Sequence, residues 1–279
     1  MNTKKFLYAS FLLLLGLTMT GSAQSPLFEK LVFSGQDSLS LPYRLLKPVH
    51  YDTKDTSTLK QHYPLVIFLH GSGERGDDNE IQLKNGALNF ADSLLRENHP
   101  AFMIVPQCQL NRRWAEVDWS ADHHLMQEIP STPMQALIAL IDQFIHQFPV
   151  DTNRIYITGL SMGGYGTWDL ISRFPSKFAA ALPVCGGGDE LQAEKLIAIP
   201  IWDFHGAKDP VVNVNRSRNM IAAIKKAGGR PLYTEVEDAG HDVWWKVYSD
   251  KIVLEWLFTQ TKTKPVKPED LNTQKGPGK

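Results

Sequence analysis

Gly159-Leu160-Ser161-Met162-Gly163-Gly164 lies between the apolar run Arg154-Ile155-Tyr156-Ile157-Thr158 and a helix-compatible segment over 165–174. This order puts one serine where a strand turns sharply into a helix. A Gly-x-Ser-x-Gly pentad in that setting is a nucleophile elbow. The tight turn strains the serine backbone and presents its hydroxyl, and small residues two before and two after keep Cβ atoms from colliding. The pentad alone occurs by chance in glycine-rich loops. Its weight comes from the β-branched strand before it and the helix after it; an inert serine in a glycine-rich turn stays open until partners for that serine are found.

Outward from the elbow the chain repeats strand and helix. Residues 27–34 and 39–46 alternate as two strands, joined at the turn-rich Gly35-Gln36-Asp37-Ser38, and predict an antiparallel edge. Residues 63–70 form an almost continuous apolar run, as expected of a strand buried on both faces. Similar runs recur at 101–106, 154–158, 179–184, 199–204 and 231–236, with helix-compatible stretches in most gaps, which predicts an α/β fold on a mostly parallel sheet. A helix over 133–148 carries Ala136, Leu137, Leu140, Ile141, Phe144 and Ile145 on one stripe. A second over 214–227 carries Met220, Ile221 and Ile224 and ends at Gly228-Gly229. Residues 243–258, with Val247, Ile252, Val253, Trp256 and Leu257, predict one closing helix. Two long irregular stretches, 71–89 and 107–132, follow successive strands and are candidate substrate loops.

Residues 1–23 have the make-up of a secretory leader: Lys4 and Lys5, an apolar core over 6–17, then Gly21-Ser22-Ala23 as a small-residue cleavage site. An uncleaved anchor is disfavoured, because the core is shorter than the roughly 20 residues that span a bilayer and no cysteine follows it for lipid attachment. The expected organisation is a leader over 1–23, one α/β domain over 24–261 and a solvated tail over 262–279 in which five lysines mix with prolines, Glu269 and Asp270. Export to a periplasmic or extracellular location follows, without stable membrane insertion. The chain has 29 Lys and Arg against 30 Asp and Glu; without Lys4 and Lys5 the balance is 27 against 30, a net −3 that gives no pull toward nucleic acid. Cys108 and Cys185 each follow a strand-like run, so an exported protein admits a disulfide between them if their Cα atoms come within about 7 Å. The sequence leaves that pairing open.

A serine hydroxyl is a poor nucleophile near neutral pH, so Ser161 needs a base and the base needs a group to hold its ring. At an elbow of this kind the partners follow in the order acid, histidine. Two histidines come after Ser161. His205 ends a strand directly before Gly206 and reads as a buried structural residue, whereas His241 lies in the small-residue loop Glu237-Asp238-Ala239-Gly240-His241-Asp242 and is the candidate base. Asp209 falls just past the strand before the last and is the candidate acid. Asp203 sits inside an apolar run, and Asp238 and Asp242 are too close in sequence to reach the ring of His241. Donors for an oxyanion are assigned to the amides of Met162 and Ser72, the latter preferred over Gly73 in the loop His70-Gly71-Ser72-Gly73-Glu74-Arg75-Gly76. That loop lacks the Lys-Ser/Thr ending of a phosphate loop. Asp122-His123-His124 has no spacing of a metal site, so no metal is assigned. Trp114, Trp119 and Gln107 are candidate substrate contacts on the loop after the fourth strand, while Trp168, Trp244 and Trp245 read as packing.

With this ordered set, the sequence resembles the α/β-hydrolase superfamily over nearly its whole length beyond residue 23. LVIFLHGSGERG at 65–76, SMGGYGTW at 161–168, FHGAKDP at 204–210 and GHDVWW at 240–245 narrow the resemblance to single-domain secreted esterases related to dienelactone hydrolases, prolyl-oligopeptidase catalytic domains and feruloyl or polyhydroxybutyrate esterases. The resemblance implies an eight-stranded, mostly parallel sheet flanked by helices. It also implies a serine carboxylic-ester hydrolase working through an acyl-serine intermediate without cofactor, on a small-molecule or carbohydrate-linked ester. The chain departs from prolyl oligopeptidases in having no room for a propeller domain. Two alternatives stay open at this level: a serine peptidase acting on short peptides, and a catalytically inactive binding protein on the same fold.

Overall fold

A computed structural model describes residues 26–262 apart from 37, 53 and 55–59. The expected leader, and the tail beyond Lys262, lie outside the described residues. Eight strands form one sheet: β1 Phe28–Ser34, β2 Ser40–Leu46, β3 Tyr63–Leu69, β4 Phe102–Pro106, β5 Val150–Leu160, β6 Ala180–Val184, β7 Trp202–Gly206 and β8 Leu232–Val236. Their order is β1-β2-β4-β3-β5-β6-β7-β8. The pairs β1–β2 and β2–β4 are antiparallel and every other pair is parallel, so the expected hairpin edge and mostly parallel sheet are both present.

Helices cover both faces. They are α1 Ser93–Asn98, α2 Thr132–Gln147, α3 Met162–Arg173, α4 Asn215–Lys226, α5 Trp244–Ser249 and α6 Lys251–Thr259. The two-residue period of the central strands explains the layers. Leu65, Ile67 and Leu69 of β3 pack with Leu137, Leu140 and Phe144 of α2, Trp168 and Ile171 of α3, and Met220 and Ile224 of α4. Val66 and Phe68 point the other way, toward Leu95 of α1, Val247 and Tyr248 of α5, and Val253, Leu254 and Leu257 of α6. Across that second face Thr158 donates its single hydroxyl hydrogen to the Leu182 carbonyl at 2.7 Å. The Tyr248 hydroxyl, 2.8 Å away, must therefore donate to Thr158.

The structure refines three sequence readings. The closing helix is two helices, because Asp250 is extended (φ −82°, ψ 109°) and its carboxylate accepts from the Ile252 amide, making it the N-cap of α6. The seventh strand runs one residue past His205, to Gly206, and pairs His205 with Glu235. The two cysteines are free and buried in opposite cores, Cys108 beside Trp114 and Cys185 beside Val184, so the sheet separates them and no disulfide joins them. Among the described residues no helix is long and apolar enough to cross a membrane.

Candidate active site

Ser161 stands between the end of β5 and the start of α3 with φ 53° and ψ −116°, a left-handed backbone that a residue with a Cβ adopts only when its surroundings enforce it. The Ser161 amide donates to the Val184 carbonyl at 2.9 Å. A Cβ on Gly163 would lie 1.9 Å from the Leu69 carbonyl oxygen, so only glycine lets α3 start this close to the end of β3. The pentad thus folds as its spacing predicts.

The topology brings the sequence candidates together from three strand ends. His241, in the turn after β8, places Nε2 2.9 Å from Ser161 Oγ and Nδ1 2.7 Å from Asp209 Oδ2. Asp209 follows β7, and its Oδ1 accepts from the amides of Val211 (2.8 Å) and Val212 (2.9 Å). Burial raises the Asp209 pKa, but hydrogen bonds from His205, His241, Val212 and Val211 outweigh it and hold the carboxyl well below the ordinary carboxylate range. Trp244 stands edge-on to the His241 ring at 5.2 Å. The rival acids are placed elsewhere: Asp203 is wholly buried in β7 with no hydrogen bond to His241, and Asp238 is paired with Lys208 in solvent.

Ser72 opens a short 3-10 turn, Ser72–Glu74, on the loop after β3. A Cβ on the preceding Gly71 would meet Leu160 Cδ1 at 2.8 Å, so this loop lies directly against the elbow. His70 anchors the loop from beneath. Its Nε2 accepts from the Cys108 amide at 2.9 Å, which leaves Nδ1 as the donor to the Gly71 carbonyl at 2.6 Å. Burial lowers its pKa to about 4, so the ring is neutral near pH 7.

The three substrate-contact candidates separate. Gln107 is fully buried and scaffolds the loop after β3, donating to Asp78 Oδ1 at 2.8 Å and to the Glu74 carbonyl and accepting from the Asn79 amide at 2.6 Å. Trp114 is likewise buried, donating from Nε1 to the His70 carbonyl at 3.2 Å. Neither side chain is exposed: glutamine and tryptophan here satisfy buried polar atoms of neighbouring loops. Trp119 remains part-exposed, under the Arg113 guanidinium at 4.2 Å and 6.3 Å from the Tyr165 ring. Tyr165 shares a small cluster with Ala115, Val117 and Val212, next to the amides that hold Asp209. The sequence reading passed over Tyr165 and the contact between His205 and Asp209. The first had a signal in its position four residues past Ser161, one helical turn into α3.

Cys185 Sγ, an Asp209 oxygen and a His241 nitrogen lie within 4.8 Å of one another, a set that has metal-ligand chemistry. The carboxylate and imidazole are already engaged in the chain to Ser161, and burial raises the Cys185 thiol well above its usual range, so this trio fits a hydrogen-bonded site better than a cation.

Comparison with known proteins agrees with this geometry. The chain is 30% identical over 167 residues to a bifunctional acetylxylan esterase/xylanase of Neocallimastix patriciarum, covering 59% of this chain and 22% of that protein. It therefore spans about a fifth of that relative. A thermostable esterase of known structure superposes with a TM-score of 0.76 at 39% identity, over 84% of this chain and 63% of the other. A ferulic acid esterase of Anaeromyces mucronatus shares the fold with a TM-score of 0.58 at 14% identity, over 84% of this chain and 90% of that one. The family described as phospholipase/carboxylesterase matches residues 56–250. The chain belongs to this phospholipase/carboxylesterase family of α/β-fold hydrolases.

Proposed function

We propose that the protein is an exported carboxylic-ester hydrolase in which Ser161 is the nucleophile, His241 the general base and Asp209 the acid that orients it. The observation that carries this reading is the unbroken run of hydrogen bonds Asp209–His241–Ser161, at 2.7 and 2.9 Å, ending on a serine held at positive φ. Ser161 Oγ attacks the ester carbonyl carbon as His241 Nε2 takes its proton. The oxyanion lies against the amides of Met162 and Ser72, each such donor contributing roughly 3 kcal/mol of transition-state stabilisation. His241 then gives its proton to the leaving alkoxide, leaving Ser161 acylated. Water, deprotonated by the same ring, releases the acid. Asp209 stays ionised throughout, as its depressed pKa requires.

A small or carbohydrate-linked ester is the proposed substrate. The 30% identity to a bifunctional acetylxylan esterase/xylanase supports the carbohydrate side. The composition of residues 1–23 supports export. Ser161→Ala should remove p-nitrophenyl acetate hydrolysis and fluorophosphonate labelling while leaving the melting temperature within a few degrees of the parent. Turnover at the parent rate would overturn the nucleophile assignment. A panel of acetylated xylo-oligosaccharides, feruloylated sugars and short alkyl esters tests the alcohol side; equal rates on all three would remove the carbohydrate preference.

A further inference from the structure

Asp209 is held by two histidines. Besides His241, His205 Nε2 lies 3.2 Å from Asp209 Oδ2 and 3.0 Å from the Val212 carbonyl. Both neighbours are acceptors, so Nε2 carries the ring hydrogen and shares it between them. His205 Nδ1, 2.8 Å from Ser217 Oγ, is then left to accept the Ser217 hydroxyl hydrogen. His205, Ser217 and the Asp209 side chain are all completely buried, so no water competes for these bonds.

The acid's full complement follows from these contacts. Oδ1 is fixed by two amides on its own turn, and Oδ2 by one N–H from each of two histidines on different strands' ends. Val212, whose amide binds Oδ1 and whose carbonyl binds His205, ties the two halves together. Behind His205 stands Asp203, two residues earlier on β7 and so on the same sheet face. Neither of its oxygens makes a hydrogen bond of ordinary geometry. Burial lifts its pKa to about 7, offset in part by Ser217 and His205. Other ionisable groups facing this cluster are Cys185, just past β6, and Tyr233 and Glu235 on β8, the last paired with Arg218 in solvent.

We propose that His205 is a positioning residue for the ester-hydrolase reaction, acting through Asp209: its Nε2–H fixes the second carboxylate oxygen at the angle from which His241 is held, and Ser217 fixes the tautomer that makes this bond. The inference rests on the assignment of Asp209 as the catalytic acid. A buried ring with only a packing role would contribute to stability alone. One aimed at the acid contributes to turnover and loses its effect when the acid is removed.

The test is a double-mutant cycle on the full chain with p-nitrophenyl acetate. His205→Leu should lower kcat by roughly 10- to 100-fold with KM within about twofold, and His205→Gln, whose amide reaches the Nε2 position, should recover most of that loss. In an Asp209→Ala background the same His205→Leu change should alter kcat by less than about threefold, because the carboxylate through which it acts is gone. Multiplicative losses in the two backgrounds, or a His205→Gln enzyme no better than His205→Leu, would overturn the proposal. Should His205→Leu fail to fold, Ser217→Ala serves in its place, with a loss of a few-fold in kcat expected only when Asp209 is present. Failure of the parent reading looks different: there Ser161→Ala or Asp209→Ala would leave hydrolysis intact before any cycle is closed.

Discussion

At the scale of single residues, two buried groups titrate in opposite senses, and each bends how stability responds to acid. His70 charges in the unfolded chain near pH 6.5 but only at about 4 when folded, since burial opposes its charge more than the Gly71 carbonyl favours it. The unfolded chain therefore binds the extra proton between those values. Stability owed to neutral His70 is complete above pH 6.5 and is lost as the pH falls toward 4, at up to about 1.4 kcal/mol per pH unit. Asp203 runs the other way. Its carboxyl is raised to about 7, so between roughly pH 4 and 7 the folded chain holds a proton that the unfolded chain releases, and acidification through that window adds stability. The two offset each other in the parent. Relative to the parent, Asp203→Asn should deepen the fall in urea-unfolding free energy from pH 6.5 to 4 by about 2 to 3 kcal/mol, whereas His70→Gln should lessen it by a similar amount. Parallel pH profiles for the two variants would refute the assignment of these opposed shifts.

At the scale of elements, α3 does two jobs, seating Ser161 at one end and pinning the loop after β4 at the other. Arg173 in its last turn bonds Asp169 one turn earlier at 2.7 and 3.0 Å and donates to the carbonyls of Gln127 and Glu128. Burial raises the pKa of Asp169 despite that partner, so the pair is held by mutual need and its desolvation is costly. Arg173→Met should destabilise the fold by roughly 3 to 5 kcal/mol by stranding Asp169, and Asp169→Leu added to it should recover much of the loss. A double variant no more stable than Arg173→Met, by chemical unfolding, would count against a stranded charge as the cause. These elements also show what sequence can and cannot carry. The elbow was legible because its requirements are local: a strand, a small-residue turn and a helix adjacent in the chain. The placement of Asp209 and His241 beside Ser161 was legible because loop position at successive strand ends follows from the alternation of elements. The roles of Gln107 and Trp114 were not, because which buried carbonyls need donors depends on where the loop after β3 crosses the loop after β4. The break at Asp250 had a local signal, a capping acid before Lys251-Ile252-Val253, that the continuous apolar stripe concealed.

For the molecule as a whole, the sheet both assembles the site and divides the interior. Ser161, Asp209 and His241 come from the ends of β5, β7 and β8, so no short segment contains the chemistry and the site exists only when the parallel half of the sheet is formed. The same sheet keeps Cys108 in one core and Cys185 in the other. Burial pushes the Cys108 thiol up to about 12 and the Cys185 thiol well above its ordinary value, so neither supplies the thiolate through which disulfides form. Under the proposed export, this is protection by architecture. The native protein should therefore show no rapidly reacting thiol toward Ellman's reagent, and two per chain once guanidinium opens the fold. Dithiothreitol should leave its melting temperature unchanged to within about 1 °C, against the several degrees expected if a disulfide worth a few kcal/mol were being reduced. A reductant-sensitive melting temperature, or fewer than two thiols in the denatured chain, would mean that the two cores are not separated as the sheet places them.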